Sequence, residues 1–79
     1  MNLYFEHADR RRSLVATDVT FDNVIELIHA DVERRNPNFR IYYLRSWMYK
    51  NEKYYDVGSH TEFYVLTDKG DRNAPHLRN

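Results

Sequence analysis

Hydrophobic positions along the chain change period twice. Near the start, Leu3 and Phe5 alternate with Tyr4 and Glu6, the period of two that marks a half-buried strand over residues 3–7. Ala8-Asp9-Arg10-Arg11 is a polar turn, and Ser-Leu-Val-Ala-Thr at 13–17 returns as a second strand, so a hairpin is the simplest connection. Phe21, Val24, Ile25, Leu27, Ile28 and Val32 then fall at helical spacing, with Asp22, Asn23, Glu26, Asp31 and Glu33 between them. Thr20 suits the N-cap, Asp22 the positive end of the helix dipole, and Arg34 and Arg35 the negative end. Asn36-Pro37 stops the helix, because the residue before proline disfavours helical dihedrals. The expected helix is 21–35. Residues 39–50 are aromatic and β-prone, 51–53 form a turn, and 54–57 form the next strand. Gly58-Ser59 can make a two-residue turn into a last strand over 61–67. The alternative is one bent strand over 54–66 with a bulge at Gly58.

The order β-β-α-β-β-β predicts an α+β fold, a single antiparallel sheet with one helix packed on one face. Residues 1–68 form the domain, and the polar, aperiodic stretch 69–79 is expected to be a loose tail. The helix covers one face of the sheet, and alternation assigns the other. Burying Arg45 without a partner would cost several kcal/mol, order of magnitude, so Leu44 points inward and Tyr43, Arg45 and Trp47 outward. The same reasoning puts Leu3, Phe5, Tyr55, Val57, Phe63 and Val65 inward. It puts Tyr4, Glu6, Tyr54, Asp56, Glu62 and Tyr64 outward. The outward face then gathers Tyr, Trp and Arg, the side chains that dominate interface hot spots. Three readings stay open for it: cross-strand pairs that stabilise a thin sheet, a surface for another protein or a second copy, and a base-stacking platform.

Composition narrows the function. Seventy-nine residues bury only about 60% of the unfolded surface and leave little room for a pocket of ~300 Å³ or more. Twelve basic and twelve acidic side chains cancel, so no long-range field attracts a polyanion. With no cysteine, disulfides and thiolate metal sites are excluded, and dimerisation is one way to support a small core. No apolar run approaches the ~20 residues of a membrane span, and the N-terminus lacks a signal-peptide pattern, so a cytoplasmic protein beginning at Met1 is expected.

Candidate chemistry is sparse. His7, His29, His60 and His76 show no metal spacing, although His60-Thr61-Glu62, with Asp56 near it in sequence, could take a metal or acid–base role if the fold brings His7 close. Ser13, Ser46 and Ser59 are the nucleophile candidates, and Ser59 and His60 point opposite ways in an extended chain. Gly58 and Gly70, the only glycines, open no phosphate loop. Arg10-Arg11-Arg12 and Arg34-Arg35 read as solvated surface unless the fold joins them into a grip on a phosphate backbone or an acidic partner.

Asp56-Val57-Gly58-Ser59-His60-Thr61-Glu62-Phe63 with Tyr64, together with Leu3-Tyr4-Phe5-Glu6-His7-Ala8-Asp9, resembles small uncharacterised proteins carried by phages and mobile elements of Gram-positive bacteria. The resemblance spans most of residues 2–66 and implies a cofactor-free protein that blocks a host protein, as anti-CRISPR inhibitors do. The expectation is a non-enzymatic binding module, an inhibitor of a defence nuclease acting by steric occlusion. Tyr43, Arg45, Trp47, Tyr54, Asp56, Glu62 and Tyr64 form its contact surface, and the two carboxylates pair with basic groups of the partner. The competing expectation is a single-stranded nucleic-acid binder that stacks bases on the same aromatics.

Overall fold

A chain that begins with a hairpin at one sheet edge must cross the sheet to build the rest, and here the helix makes that crossing. The computed structural model describes residues 1–41, 44–59 and 61–69. It contains β1 (Asn2–Glu6), β2 (Arg12–Ala16), α1 (Val24–Arg35), β3 (Arg45–Tyr49), β4 (Glu52–Asp56) and β5 (Phe63–Thr67). The β-β-α-β-β-β order and the single antiparallel sheet are as the sequence predicts. The sheet order is β2-β1-β5-β4-β3, so α1 carries the chain from one edge strand to the other across one face. Tyr42, Tyr43, His60 and the expected tail from Gly70 onward lie outside the described residues. No helix among the described residues is long and apolar enough to cross a membrane.

The helix starts three residues later than its apolar pattern predicts. Thr20 is not the N-cap. Its backbone N–H donates to Asn23 Oδ1 at 2.9 Å, and its carbonyl accepts from Val24 N at 3.1 Å. Residues 21–23 are therefore a turn with Asn23 at the N-cap, and Phe21 is left exposed. The end is as expected, with Asn36 as C-cap donating to Val32 O at 2.9 Å.

The expected long strand over 39–50 contracts to Arg45–Tyr49. The chain leaving α1 folds back, Phe39 N donating to Asn36 O at 3.0 Å, and Phe39, Ile41 and Leu44 pack on the core from outside the sheet. Lys50 and Asn51 both take positive φ, 51° and 66°, between the paired residues Tyr49 and Glu52. That is a two-residue hairpin with the twist of its strands, so Glu52 and Lys53 belong to β4 rather than to the expected turn. Gly58, at φ 104°, takes the chain out of β4 in a conformation that other residues rarely adopt. Asp56 Oδ1 accepts from Gly58 N at 2.8 Å, and β5 begins only at Phe63, so neither the tight Gly58-Ser59 hairpin nor the continuous bent strand forms.

Leu3, Val24, Ile28, Val32, Tyr55, Val57, Tyr64 and Leu66 make the core between helix and sheet, joined by Val19 from the loop before α1. Met1 and Val19 bond reciprocally, Val19 N to Met1 O at 2.7 Å and the terminal ammonium to Val19 O at 3.0 Å. The face assignment holds on β1, β3 and β4 but inverts on β5. Phe5 pairs with Tyr64 and Leu3 with Leu66, so Tyr64 and Leu66 share the helix face, while Phe63 and Val65 turn away from it. Tyr64 is 1% exposed, and its hydroxyl donates to Asp31 Oδ2 of α1 at 2.7 Å. That bond gives the tyrosine hydroxyl a buried partner, which removes the physical objection to a core tyrosine. Asp31 also accepts from Arg34 and Arg35, and the Arg35 guanidinium lies 4.1 Å over the Phe5 ring. Burial pushes the Asp31 carboxyl upward, but Tyr64, Arg35 and Arg34 outweigh it and hold the group below the ordinary carboxylate value.

Two measurements follow from this packing. Leu66→Ala removes a fully buried side chain and should cost about 2–5 kcal/mol in chemical denaturation. Leu14→Ala, at a 54% exposed position, should fall within about 0.5 kcal/mol of wild type. Comparable losses would show the β5 register to be wrong. Asp31 has a depressed folded-state pKa, so its contribution is complete above the unfolded value near ~3.9 and is lost as pH falls through the lower folded value. Asp31→Asn should therefore be less stable than wild type at pH 7, with the gap closing below about pH 4 in thermal melts. A gap independent of pH would remove the ionised carboxylate from the account.

Candidate functional site

The sheet face opposite α1 has no second layer among the described residues, yet much of it is dry. Tyr4, Glu6, Glu52, Asp56, Val65 and Thr67 are all buried there. The centre of this face is Arg12 of β2. Its Nε donates to Glu6 Oε1 at 3.0 Å, and its two terminal nitrogens donate to Glu52 Oε2 and Oε1 at 3.1 and 3.0 Å. One of them also reaches the Tyr54 hydroxyl at 3.2 Å. Glu52 and Tyr54 lie on β4, two strands beyond β1, so a guanidinium held between β2 and β4 must lie over β1 and β5. Tyr4 and Val65, the residues of those two strands paired beneath it, are accordingly buried. Burial favours loss of the Arg12 proton, but the hydrogen bonds to Glu52 and Glu6 prevail and raise its pKa. Arg12 therefore departs from the solvated reading of the arginine run. The available signal was the hairpin itself, which places Glu6 directly opposite Arg12.

Beside this cluster, towards the free edge, the aromatic side chains collect. Trp47 stacks on Tyr54 across the β3–β4 pair, with centroids 5.9 Å apart and planes 10° from parallel. Phe63 meets Trp47 edge-on at 5.6 Å and Tyr54 at 6.3 Å, and Tyr49 meets Tyr54 at 6.1 Å. Arg45 lies 5.8 Å over Trp47. All five residues of β3 are exposed, and among the described residues β3 has a strand on one side only. Between the aromatics and the β1–β2 turn runs an open groove of about 380 Å³, lined by Glu6, Ala8, Arg10, Trp47, Tyr49, Tyr54, Thr61 and Phe63.

Of the contact residues expected from the sequence, Arg45, Trp47 and Tyr54 come together on this face. Asp56 faces the same way but is buried, bonded to Arg45 Nη2 at 3.0 Å and to Gly58 N, so its carboxylate is already occupied. Glu62 precedes β5 and accepts from Ser59 Oγ at 3.3 Å beside the helix C-terminus, away from the aromatic cluster. Tyr64 is in the core, for the reason given above, and Tyr43 lies outside the described residues. Sequence reasoning missed Phe63, which was assigned inward, and Tyr49 and Glu6 as walls of the groove. The phase of β5 concealed the first.

The remaining candidate chemistry is thin. His7 Nε2 and Ser13 Oγ are 2.8 Å apart across the first hairpin, and the ring stands edge-on to Phe5 at 4.8 Å. No carboxylate among the described residues bonds the other ring nitrogen. No three His, Cys, Asp or Glu side chains among the described residues converge as a metal site. Four of the five arginines in the two clusters are engaged internally, and Arg10 is exposed. Arg11 pairs with Asp9, Arg12 with Glu6 and Glu52, and both Arg34 and Arg35 with Asp31.

Removing the guanidinium should be costly, because Glu6 would keep a buried charge with no cation. Arg12→Ala is expected to lose about 3–5 kcal/mol at pH 7. A loss under about 1 kcal/mol would mean that the cluster is solvated and not structural.

No family model matches this chain, and no significantly similar curated protein or solved structure was found.

Proposed function

We propose that this chain is a non-enzymatic protein-binding module whose contact surface is the aromatic end of the open sheet face, next to strand β3. The observation that carries the reading is the grouping of Trp47, Tyr49, Tyr54 and Phe63 around a groove at an unpaired sheet edge. These rings combine large apolar area with polar ends, which is the composition of interface hot spots. Among the described residues no strand pairs with the outer edge of β3, whose backbone donors and acceptors an extended segment can use. The resemblance to phage and mobile-element proteins directs the choice of partner to a host defence nuclease, blocked by occlusion in the bacterial cytoplasm. The balance of twelve basic against twelve acidic side chains supports a protein partner over a nucleic acid, since it leaves no net positive field to draw a phosphate backbone.

The test is a tagged pull-down from nuclease-treated bacterial lysate, with Trp47→Ala as the control. Trp47 is 37% exposed, so its truncation should leave the circular dichroism spectrum and the thermal transition cooperative. Its loss should weaken capture of a partner by about tenfold or more, the scale of one hot spot of at least 1.4 kcal/mol. Unfolding of Trp47→Ala would return the cluster to a purely structural role. Loss of every captured protein on nuclease treatment would favour nucleic acid instead.

A further inference from the structure

The groove beside Trp47 has an uneven floor. Glu6 contributes a carboxylate whose side chain is only 8% exposed. One oxygen, Oε1, accepts from Arg12 Nε, while Oε2 accepts nothing from the described residues. Arg12 gives Glu6 that single bond and directs both terminal nitrogens to Glu52. A buried carboxylate oxygen without a donor among the described residues is costly, and Glu6 lines a cavity together with Trp47, Tyr49, Tyr54 and Phe63. Aromatic faces attract cations through their quadrupole, most strongly where water is excluded. The chain already uses the same contact, Arg45 lying over Trp47 at 5.8 Å and Lys50 over Tyr49 at 5.4 Å.

Resting on the binding-module reading, we infer that this groove receives a cationic side chain, an arginine or lysine of the partner protein, with its charged head at Glu6 Oε2 and its stem along the aromatic rings. The groove volume, about 380 Å³, admits one such side chain with water. Arg10 also lines the groove and carries like charge, but it is exposed, where solvent and salt screen it. Glu6 acts from a buried position, where the effective dielectric constant is lower. Tyr54 is consistent with a negative floor, its hydroxyl pushed up by burial and then by Glu6.

Trp47 is the only tryptophan of the chain, so its fluorescence reports on this groove alone. The full chain is titrated with the capped tripeptide acetyl-Gly-Arg-Gly-amide and with its citrulline counterpart, which keeps the shape and removes the charge. The arginine peptide should shift Trp47 emission saturably, and citrulline should bind about tenfold more weakly, the effect of one buried charge-assisted bond. Glu6→Gln keeps the Arg12–Glu52 pair and should abolish the preference for arginine. Ala8→Lys, on an exposed turn position lining the groove, should also weaken the arginine peptide and keeps the test open if Glu6→Gln does not fold. Equal binding of the two peptides, or no saturable response to either, overturns the inference. Capture of a partner that depends on Trp47 alongside a negative titration would leave the binding-module reading standing and remove only the cationic ligand.

Discussion

The pairing of the first strand with the last organises the molecule. β1 and β5 are the central neighbours of the sheet, and their register, Leu3 with Leu66 and Phe5 with Tyr64, joins the two hairpins. Leu3 and Phe5 must face the helix, because β1 offers no other apolar pair for that side. Every residue of β5 then inherits its face from β1. Tyr64 is brought beneath α1, where Asp31 accepts its hydroxyl, and the helix is anchored at the turn that also carries Arg34 and Arg35. The same register turns Phe63 outward to complete the aromatic cluster with Trp47 and Tyr54. Contacts between such distant parts of the chain close a large loop, so this pairing carries an entropic cost that local hairpins do not.

A sheet with one helix has too little apolar material to cover its second side. Here a polar cluster replaces the missing layer. Arg12 bridges β2 and β4 over the central strands and is itself neutralised by Glu6 and Glu52. A buried ion cluster of this kind contributes little net stability compared with an apolar core of equal volume, because desolvation offsets most of the attraction. Its geometric effect is larger. The three side chains meet within hydrogen-bond distance, which ties β2 to β4 and orients Tyr54 through its hydroxyl. The ordered polar region then borders directly on an exposed aromatic region, and the groove lies along the boundary between them.

Much of the architecture was legible. The β-β-α-β-β-β order follows from two hydrophobic periods, and the helix end follows from Asn36-Pro37. The errors have specific causes. The segment 39–50 has strand propensity throughout, but the chain must first travel from the helix to the far sheet edge, so among its described residues only Arg45–Tyr49 pairs. Lys50-Asn51 carries no glycine, so its hairpin of two positive φ values was concealed and Glu52 was assigned to a turn. β5 reads Phe-Tyr-Val-Leu, in which both phases are apolar, and no rule based on alternation can choose between them. That ambiguity misplaced Tyr64 and Phe63 together. Asp56 and Glu62 were set facing a partner because their internal donors, Arg45 with Gly58 N and Ser59, are visible only in space.

The sequence by itself determined the fold class, the element order, the location of the helix and the outward direction of Arg45, Trp47 and Tyr54. Those features depend on periodicity and on local chemistry, which neighbouring residues encode directly. Tertiary structure alone decided the sheet order, the face of β5, the burial of Arg12 between Glu6 and Glu52, and the groove that Glu6 shares with four aromatic rings. Each of these depends on which distant strands pair. A side chain's partners across a sheet are set by that pairing: the local hairpin puts Glu6 opposite Arg12, but nothing within a few residues of Arg12 or Tyr64 points to Glu52 or Asp31, forty and thirty-three positions away.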